Sequence, residues 1–469
     1  MAIDLFTPVV PEDRLHPSFE GLAHRGFEPA RRILAEIAGA FNDKDGNFVK
    51  DFQTTGFDAR LWELYLHAYL LSDGFTLNEE ESVPDYIATK AAQTIFIEAV
   101  TVNATQAKAA EADEAETAAK GLTGWDLFSH RMHNVYPIKF GSPLFSKMKK
   151  KYWEQGHVRG QPFILAIEDF HDTGSMVWTG SALELYLYGY DYWWYREVGG
   201  ELVVLSEAIG EHKDGAKQIP SGFFDLPDAE HVSAVLFSNS ATVSKFNRMG
   251  FLQGYQPENL CLVRAGVCYN HEPHATEPLM FRYVVGSPSA PKETWAEGLS
   301  MFHNPKAAVP VAENLFPGIA HHRLDEQNRM RSDVPAFHPY GSITQVFNSI
   351  PDRTVVPPVS PANMQMLLGE PPTGTSRGEI SSGVRRISRF EFRSHRLASG
   401  PVMAPAMEKS WFADDKGLIG TVFLDVSDQD WNYVVLAPDS GAIYRWVAGD
   451  GGMNTQEEAE SALIAEMTN

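Results

Sequence analysis

The chain has 469 residues, 43% hydrophobic and 12% aromatic, enough apolar material for a large packed core in two or three domains, which excludes a disordered chain. Its 39 Lys and Arg against 61 Asp and Glu leave a net charge of −22, which opposes generic attraction to phosphate backbones unless a local basic groove or bound cations carry the contact. Two cysteines, Cys261 and Cys268, exclude a disulfide framework and read as buried thiols in a reducing compartment; with no apolar run near the roughly 20 residues that span a bilayer and no basic–apolar leader in MAIDLFTPVVPEDRLHP, the expected setting is cytoplasmic and away from membranes.

Residues 1–57 read as a loop-rich N-terminal segment with one helix in PARRILAEIAGAFND. The following NDKDGNFVKDF places Asp43, Asp45 and Asn47 like calcium-loop ligands. Positions six and twelve would then be Phe48 and Thr54, so the stretch reads as a turn. FDARLWELYLHAYLLSDGF predicts a helix with Asp58 as its N-cap, Leu61, Leu64, Ala68 and Leu71 on one face, and Gly74 at its end.

SVPDYIATKAAQTIFIEAVTV predicts two antiparallel strands joined at KAAQ. Asp85 begins the first and Glu98 lies within the second. Ile95 and Ile97 share one face, and Phe96, Glu98 and Val100 the other. ATQAKAAEADEAETAAKG then reads as a solvated acidic helix or excursion. SPLFSKMKKKYWEQG predicts a second helix, with Pro143 near its start and Gly156 at its end. QPFILAIEDF is an apolar strand running into Glu168 and Asp169, with His171 and Asp172 following as supporting polar groups. TGSALELYLYGYDYWWY reads as an amphipathic aromatic helix.

From 196 to 349 the pattern is β-rich, as in ELVVLSEAI, VSAVLFSNS and NLCLVRAGVCYN, and is expected to extend and pack on a core spanning 58–195. Residues 350–384 are rich in Pro, Gly, Ser and Thr and read as a linker. Residues 385–469 read as a small α+β domain, with strands in GLIGTVFLDV, WNYVVLAP and AIYRWVAG and a closing helix in TQEEAESALIAEM. Ser238 and Ser240 lack a nucleophile elbow, and no glycine-rich dinucleotide or P-loop motif occurs. His130 with His133, and His271 with His274, lack a third zinc ligand. Lys245 and Arg248 read either as phosphate contacts or as a loop fixed by local ion pairs. The run from Arg377 to Arg396 interleaves arginines with Phe390 and Phe392, which suits phosphate contact and base stacking or, equally, pairing with the acidic bulk of the protein.

A charged residue inside an apolar strand is costly to bury unless it is paired or binds a metal, and that singles out Glu98. Carboxylates converging from separate elements suit Mg²⁺, which favours hard oxygen ligands and activates water for phosphodiester hydrolysis. The order helix, strand, strand, strand, helix, strand over 58–170 carries Glu63 in RLWELYL, Pro84-Asp85 in VPDYIAT, Glu98 in IFIEAVTV and the lysines of SKMKKKYW. Together these resemble the core of the PD-(D/E)XK (restriction-endonuclease-like) nuclease superfamily.

The resemblance implies an α/β fold, a mixed β-sheet flanked by helices, here with β-rich elaboration and the small C-terminal α+β domain. It implies a metal-dependent nuclease using Mg²⁺ (or Mn²⁺), with Asp85, Glu98 and the main-chain carbonyl of Ala99 as ligands and Glu63 in support. The family places a lysine two residues after the glutamate, where this chain has Val100, so the resemblance implies a substitute from the next helix, Lys147 or Lys151. Lys149, Lys150, Arg385, Arg386, Arg389 and Arg393 are the expected nucleic-acid contacts. The implied partner is nucleic acid, DNA ahead of RNA, in DNA defence or repair, with a second copy or a separate targeting subunit as further partners. The alternative is a catalytically inactive nucleic-acid-binding or scaffold protein of the same fold.

Overall fold

The structure, a computed structural model, describes residues 3–43, 46–102, 130–170, 175–196, 202–272, 275, 278–347, 379–381, 383–387, 392, 396–397, 408–424, 430–439 and 443–468. They divide into two units. The first lies within Met1–Ala109, Met132–Gly189 and Ile209–Leu367, the second within Ala110–Arg131, Tyr190–Ala208 and Leu368–Asn469. The acidic stretch after Val102, His171, Asp172, His274, Asp45, Arg377, Arg389 and Arg393 lie outside the described residues.

Four helices open the first unit: α1 (Pro17–Gly21), α2 (Glu28–Ala40), α3 (Phe48–Gln53) and α4 (Phe57–Ser72). The Asp43 turn leads into α3, the Asp43 carboxylate accepting the Gly46 N–H at 2.8 Å and the Phe48 N–H at 3.1 Å. In α4 the N-cap is Gly56, and Asp58 lies in the first turn without a capping bond. Nor is one face alone buried. Leu61, Leu64 and Ala68 are buried as expected, but so are Trp62, Tyr65, Leu66, Tyr69 and Leu70, whereas Leu71 is 45% exposed. The sheet takes one side of α4 while α2 and α3 cover the other, so the helix is apolar nearly all round. Gly74, at φ +85°, ends it, and the Phe75 N–H returns to the Leu70 carbonyl at 2.9 Å.

Three strands follow, β1 (Thr76–Asn78), β2 (Tyr86–Lys90) and β3 (Gln93–Val102). The expected hairpin forms with Lys90 opposite Gln93 and Tyr86 opposite Ile97. Its two central residues, Ala91 (φ 51°) and Ala92 (φ 61°), are both left-handed, the turn whose twist matches a tight hairpin. Next come α5 (Tyr136–Met148), β4 (Phe163–Asp169) and α6 (Ser175–Tyr188). Gly189, at φ +73°, stops α6, and the alternating aromatics read with it as one helix instead form β5 (Tyr190–Arg196), paired with β6 (Leu202–Ala208) in the second unit.

Beyond a small hairpin, β7 (Glu211–Asp214) with β8 (Lys217–Pro220), come β9 (Ala234–Ser238), α7 (Val243–Leu252), β10 (Cys261–Cys268), β11 (Leu279–Val284), β12 (Ser300–His303), β13 (Ala320–Leu324), β14 (Met330–Asp333) and β15 (Pro339–Phe347). The main sheet runs β1-β2-β3-β4-β9-β12-β13-β14, with β3, β4 and β9 parallel; β11-β10-β15 form a separate antiparallel sheet. The first unit is therefore α/β, a large mixed sheet with helices on both faces. Ile95, Ile97, Ile164, Ala166, Ala234 and Leu236 face α4, while Phe237 and Phe302 on the opposite face meet Phe140 of α5 and Tyr188 of α6.

The segment around Lys245 and Arg248 is helix α7 and not a loop. Both side chains are fully buried, so neither is a phosphate contact. The Glu293 carboxylate accepts from Arg248 Nε at 2.9 Å and pairs with Lys245 Nζ at 2.8 Å. Arg264 of β10 pairs with Glu297 and reaches Ser342 at 2.9 Å. Cys261 and Cys268, also on β10, are buried and not joined in a disulfide.

The second unit carries a seven-stranded sheet built from β16 (Glu379–Ser381), β17 (Val384–Ile387), β18 (Arg396–Leu397), β19 (Glu408–Asp414), β20 (Ile419–Leu424), β21 (Trp431–Pro438) and β22 (Ile443–Met453). Helix α8 (Gln456–Thr468) buries Ala459, Leu463 and Met467 against Val422, Tyr433 and Val435. Strand pairing begins at Glu379, inside the Pro/Gly/Ser/Thr-rich stretch. No helix among the described residues is long and apolar enough to cross a membrane.

Candidate active site

Asp85 lies just before β2, where the hairpin ladder ends, and its Oδ2 accepts the Ala99 N–H of β3 at 2.7 Å. Because the N–H and C=O of one strand residue point to the same edge, the Ala99 carbonyl turns toward that side too. Strand alternation sends Glu98 to the α5 face beside Phe96 and Val100. There it is only 3% exposed.

Two groups from one direction meet the Glu98 Oε1: Lys147 Nζ donates at 2.6 Å and the Tyr152 hydroxyl at 2.9 Å, with Lys150 Nζ at 3.9 Å. Glu98 Oε2 is buried and, among the described residues, has no hydrogen-bond partner. An orphaned carboxylate oxygen is expensive in a site this dry.

Helix α5 delivers Lys147 from its last turn. It starts upstream of the expected position, at Tyr136 with Pro137 in its first turn, carries Pro143 internally, and ends at Met148, not near Gly156. Leu144 and Met148 anchor it in the core. Lys151 is left-handed at φ 50° and redirects the chain into a short 3₁₀ turn, Tyr152–Glu154, which brings the Tyr152 hydroxyl back to Glu98. Lys147 and Lys151 would share a face only if the helix ran through both. It does not, and Lys151 Nζ pairs instead with Asp228 at 2.9 Å. Of the two expected substitutes only Lys147 reaches the glutamate. Lys149 and Lys150 are exposed, Lys149 lying over the Phe145 ring at 4.4 Å.

Glu63 projects from α4 toward the same region. Arg60 clamps both its oxygens at 3.0 and 2.9 Å and also holds Asp51 at 2.7 Å. The Tyr86 hydroxyl donates to the Glu63 main-chain carbonyl at 2.5 Å, fixing α4 to β2. Burial raises the Glu63 carboxyl to about 7 despite Arg60, with Asp85 adding repulsion. Asp85 is exposed, with its carboxylate held at the Ala99 N–H. Loss of hydration there, then repulsion from Glu98, raise its carboxyl to about 6 against the pull of Lys147. Burial and then the neighbouring Glu98 also push the Tyr152 hydroxyl upward, so it stays a donor.

Among the described residues no three His, Cys, Asp or Glu side chains cluster closely enough to hold a metal by themselves. The donors present do fit a hard cation in another way: two mutually repelling carboxylates, one with an unsatisfied buried oxygen, beside a strand carbonyl free of the β2 ladder. Asp85, Glu98 and Ala99 are the residues that would hold it.

Arg386 on β17 pairs with Glu460 of α8 and lies over Phe412 at 5.2 Å, an internal contact of the second unit; Arg385 is half-buried on the same strand. Tyr152 was missed in the sequence reading. Its signal lay in the Lys-Tyr junction, where a left-handed break turns what looks like a helix face into a return path. Comparison with protein-family models, curated proteins and solved structures finds no match.

Proposed function

We propose that the Asp85–Glu98–Lys147 cluster is the active site of a metal-dependent nuclease with a PD-(D/E)XK-like core, hydrolysing nucleic-acid phosphodiesters with Mg²⁺ or Mn²⁺. The observation that carries this reading is the arrival of Lys147 from α5 at 2.6 Å from the glutamate, supplying the ammonium that Val100 cannot. When bound, the cation activates water and neutralises charge on the transferring phosphoryl group. Asp85, Glu98 and the Ala99 carbonyl would hold it. Lys147 positions the attacking water and offsets the developing negative charge, while Tyr152 fixes the orientation of Glu98. Glu63, near neutrality in its ionisation, supports Asp85 and accepts or returns a proton at the rim. DNA is the first substrate to test, in a defence or repair setting.

One observation favours the alternative of a non-catalytic nucleic-acid-binding scaffold. Lys147 and Tyr152 both bond Glu98 Oε1 directly, a pairing that can serve as a closed structural contact. The two readings separate by assay. Purified protein is incubated with labelled single- and double-stranded DNA and RNA, with Mg²⁺, with Mn²⁺ and with chelator. Cleavage that needs the cation and disappears in both Asp85→Asn and Glu98→Gln, at unchanged thermal melting, is the expected result. Nucleic-acid binding without cleavage gives the scaffold reading, and neither binding nor cleavage overturns both.

A further inference from the structure

A second recess in the first unit lies on the α5–α6 side of the main sheet, three strands from Glu98 and so about 14 Å away across the sheet. It is a cavity of about 200 Å³ between α6, the carboxyl end of β9, strands β12 to β14 and the corner around Tyr269 and His338–Tyr340. That volume exceeds the roughly 150 Å³ of a cavity that holds benzene. It falls below the roughly 300 Å³ at which drug-sized ligands are accommodated. The size suits one ring or a fused pair.

Its walls combine aromatic rings with small polar groups such as Asn239 and Ser300, and Glu184 is the one carboxyl among the described lining residues. Phe302 stacks on the His322 ring at 4.8 Å and 19°, and Phe237, Tyr269 and Tyr340 add further ring surface. His338 is buried, with an exposure of 7%, and its ring stands edge-on to that of Tyr340 at 6.4 Å. His322 Nδ1 is bonded to Ser332 Oγ at 2.8 Å, which leaves its other nitrogen for a ligand. The Glu184 carboxyl also lines the cavity with no hydrogen-bond or ion-pair partner among the described residues.

Among the described residues no lysine or arginine lines the recess. Burial holds His322 down to about 3 and His338 to about 4, so both imidazoles are neutral, and burial raises Glu184 to about 7. An anion placed here would lack a counter-ion in a desolvated pocket, and a cation would meet only one half-ionised carboxyl. A half-protonated carboxyl instead offers an O–H donor beside a carbonyl acceptor, the complement of a ring edge bearing N–H next to C=O, or N next to NH₂.

We propose that this recess binds an uncharged, planar nitrogen heterocycle of nucleobase size, held between the aromatic walls and read along its polar edge by Glu184, His322 and His338. The site is separate from the Asp85–Glu98 cluster and does not rest on the phosphodiesterase reading.

The test titrates the full chain calorimetrically with adenine, guanine, cytosine and uracil, and in parallel with inorganic phosphate, acetate and phenol. At least one base binds one-to-one with Kd below about 1 mM. Glu184→Ala weakens that binding by about tenfold or more. Glu184→Gln, whose amide keeps a donor beside an acceptor, retains it. The groups facing Glu184 are His322, His338, Tyr269 and Tyr340, none charged near neutrality, so wild-type affinity falls as pH rises from 6 to 8 while that of Glu184→Gln stays flat. Asp85→Asn leaves base binding unchanged. Binding of no base at about 10 mM overturns the proposal. So does tighter binding of phosphate, acetate or phenol, or base affinity indifferent to Glu184→Ala in a variant that melts like wild type. Should Glu184→Ala not fold, His338→Ala takes its place with the same expectation.

Discussion

Two clusters in the first unit use the same kinds of side chain to opposite ends. Around Glu293, three cations from α7 and β10 surround two carboxylates, and both oxygens of Glu293 have close cationic partners. Glu293 is held well below the usual carboxylate range because Arg248, Lys245 and Arg264 together outweigh the cost of its burial. Around Glu98, two carboxylates share mainly Lys147, one oxygen is left over, and Asp85 is raised to about 6. The first is closed and electrostatically satisfied. The second is left short of positive charge, and a recess with a deficit of about one cation is where a metal ion has something to contribute. A buried ion pair is therefore informative about function through what it leaves unsatisfied, more than through its existence.

The comparison breaks most visibly by removing its key lysine. Lys147→Met lowers cation-dependent cleavage by about a hundredfold or more, the scale seen when a group stabilising transition-state charge is lost. Lys151→Met, which loses the exposed contacts with Asp228 and Glu154, stays within about twofold of wild type in the same nuclease assay. Equal losses in both variants would remove the special role of α5's last turn.

Glu293→Gln strands two buried cations, Lys245 and Arg248, and destabilises the first unit by about 3–5 kcal/mol, read by urea unfolding. Glu98→Gln, by contrast, relieves repulsion on Asp85 and costs little or raises stability. If the two substitutions proved equally destabilising, the closed and open clusters would not differ as argued.

The smallest effect is in pH. Asp85 is raised in the folded state, so the folded chain binds its proton more tightly than the unfolded one. Its contribution favours folding at low pH and is lost as pH rises from about 4 to about 6. A bound divalent cation reverses that sign. Mg²⁺ or Mn²⁺ accordingly raises Tm more at pH 7.5 than at pH 5, and the difference vanishes in Asp85→Asn. An identical shift at both pH values would place the cation elsewhere.

Much of this was readable from local pattern. The hairpin through KAAQ, the alternation that sets Glu98 apart from Ile95 and Ile97, the end of α4 at Gly74, and the closing strands and helix of the second unit all follow from periods of two or 3.6 residues and from glycine. The misreadings have a common cause. Asp58 as a cap, one buried face on α4, and a helix running from Ser142 to Gly156 each assume that local propensity decides. In each case packing from several sides or one left-handed residue decided instead.

Sequence alone thus determined that 58–170 would order itself as helix, three strands, helix and strand with a glutamate in an apolar strand, because those signals are carried by neighbours along the chain. Only the tertiary structure decided that β9 and β12–β14 would complete the same sheet, that Lys245 and Arg248 would be locked onto Glu293, and that Lys147 rather than Lys151 would meet Glu98. Those outcomes depend on contacts between residues tens of positions apart, whose geometry is set by how whole elements pack and which no local pattern encodes.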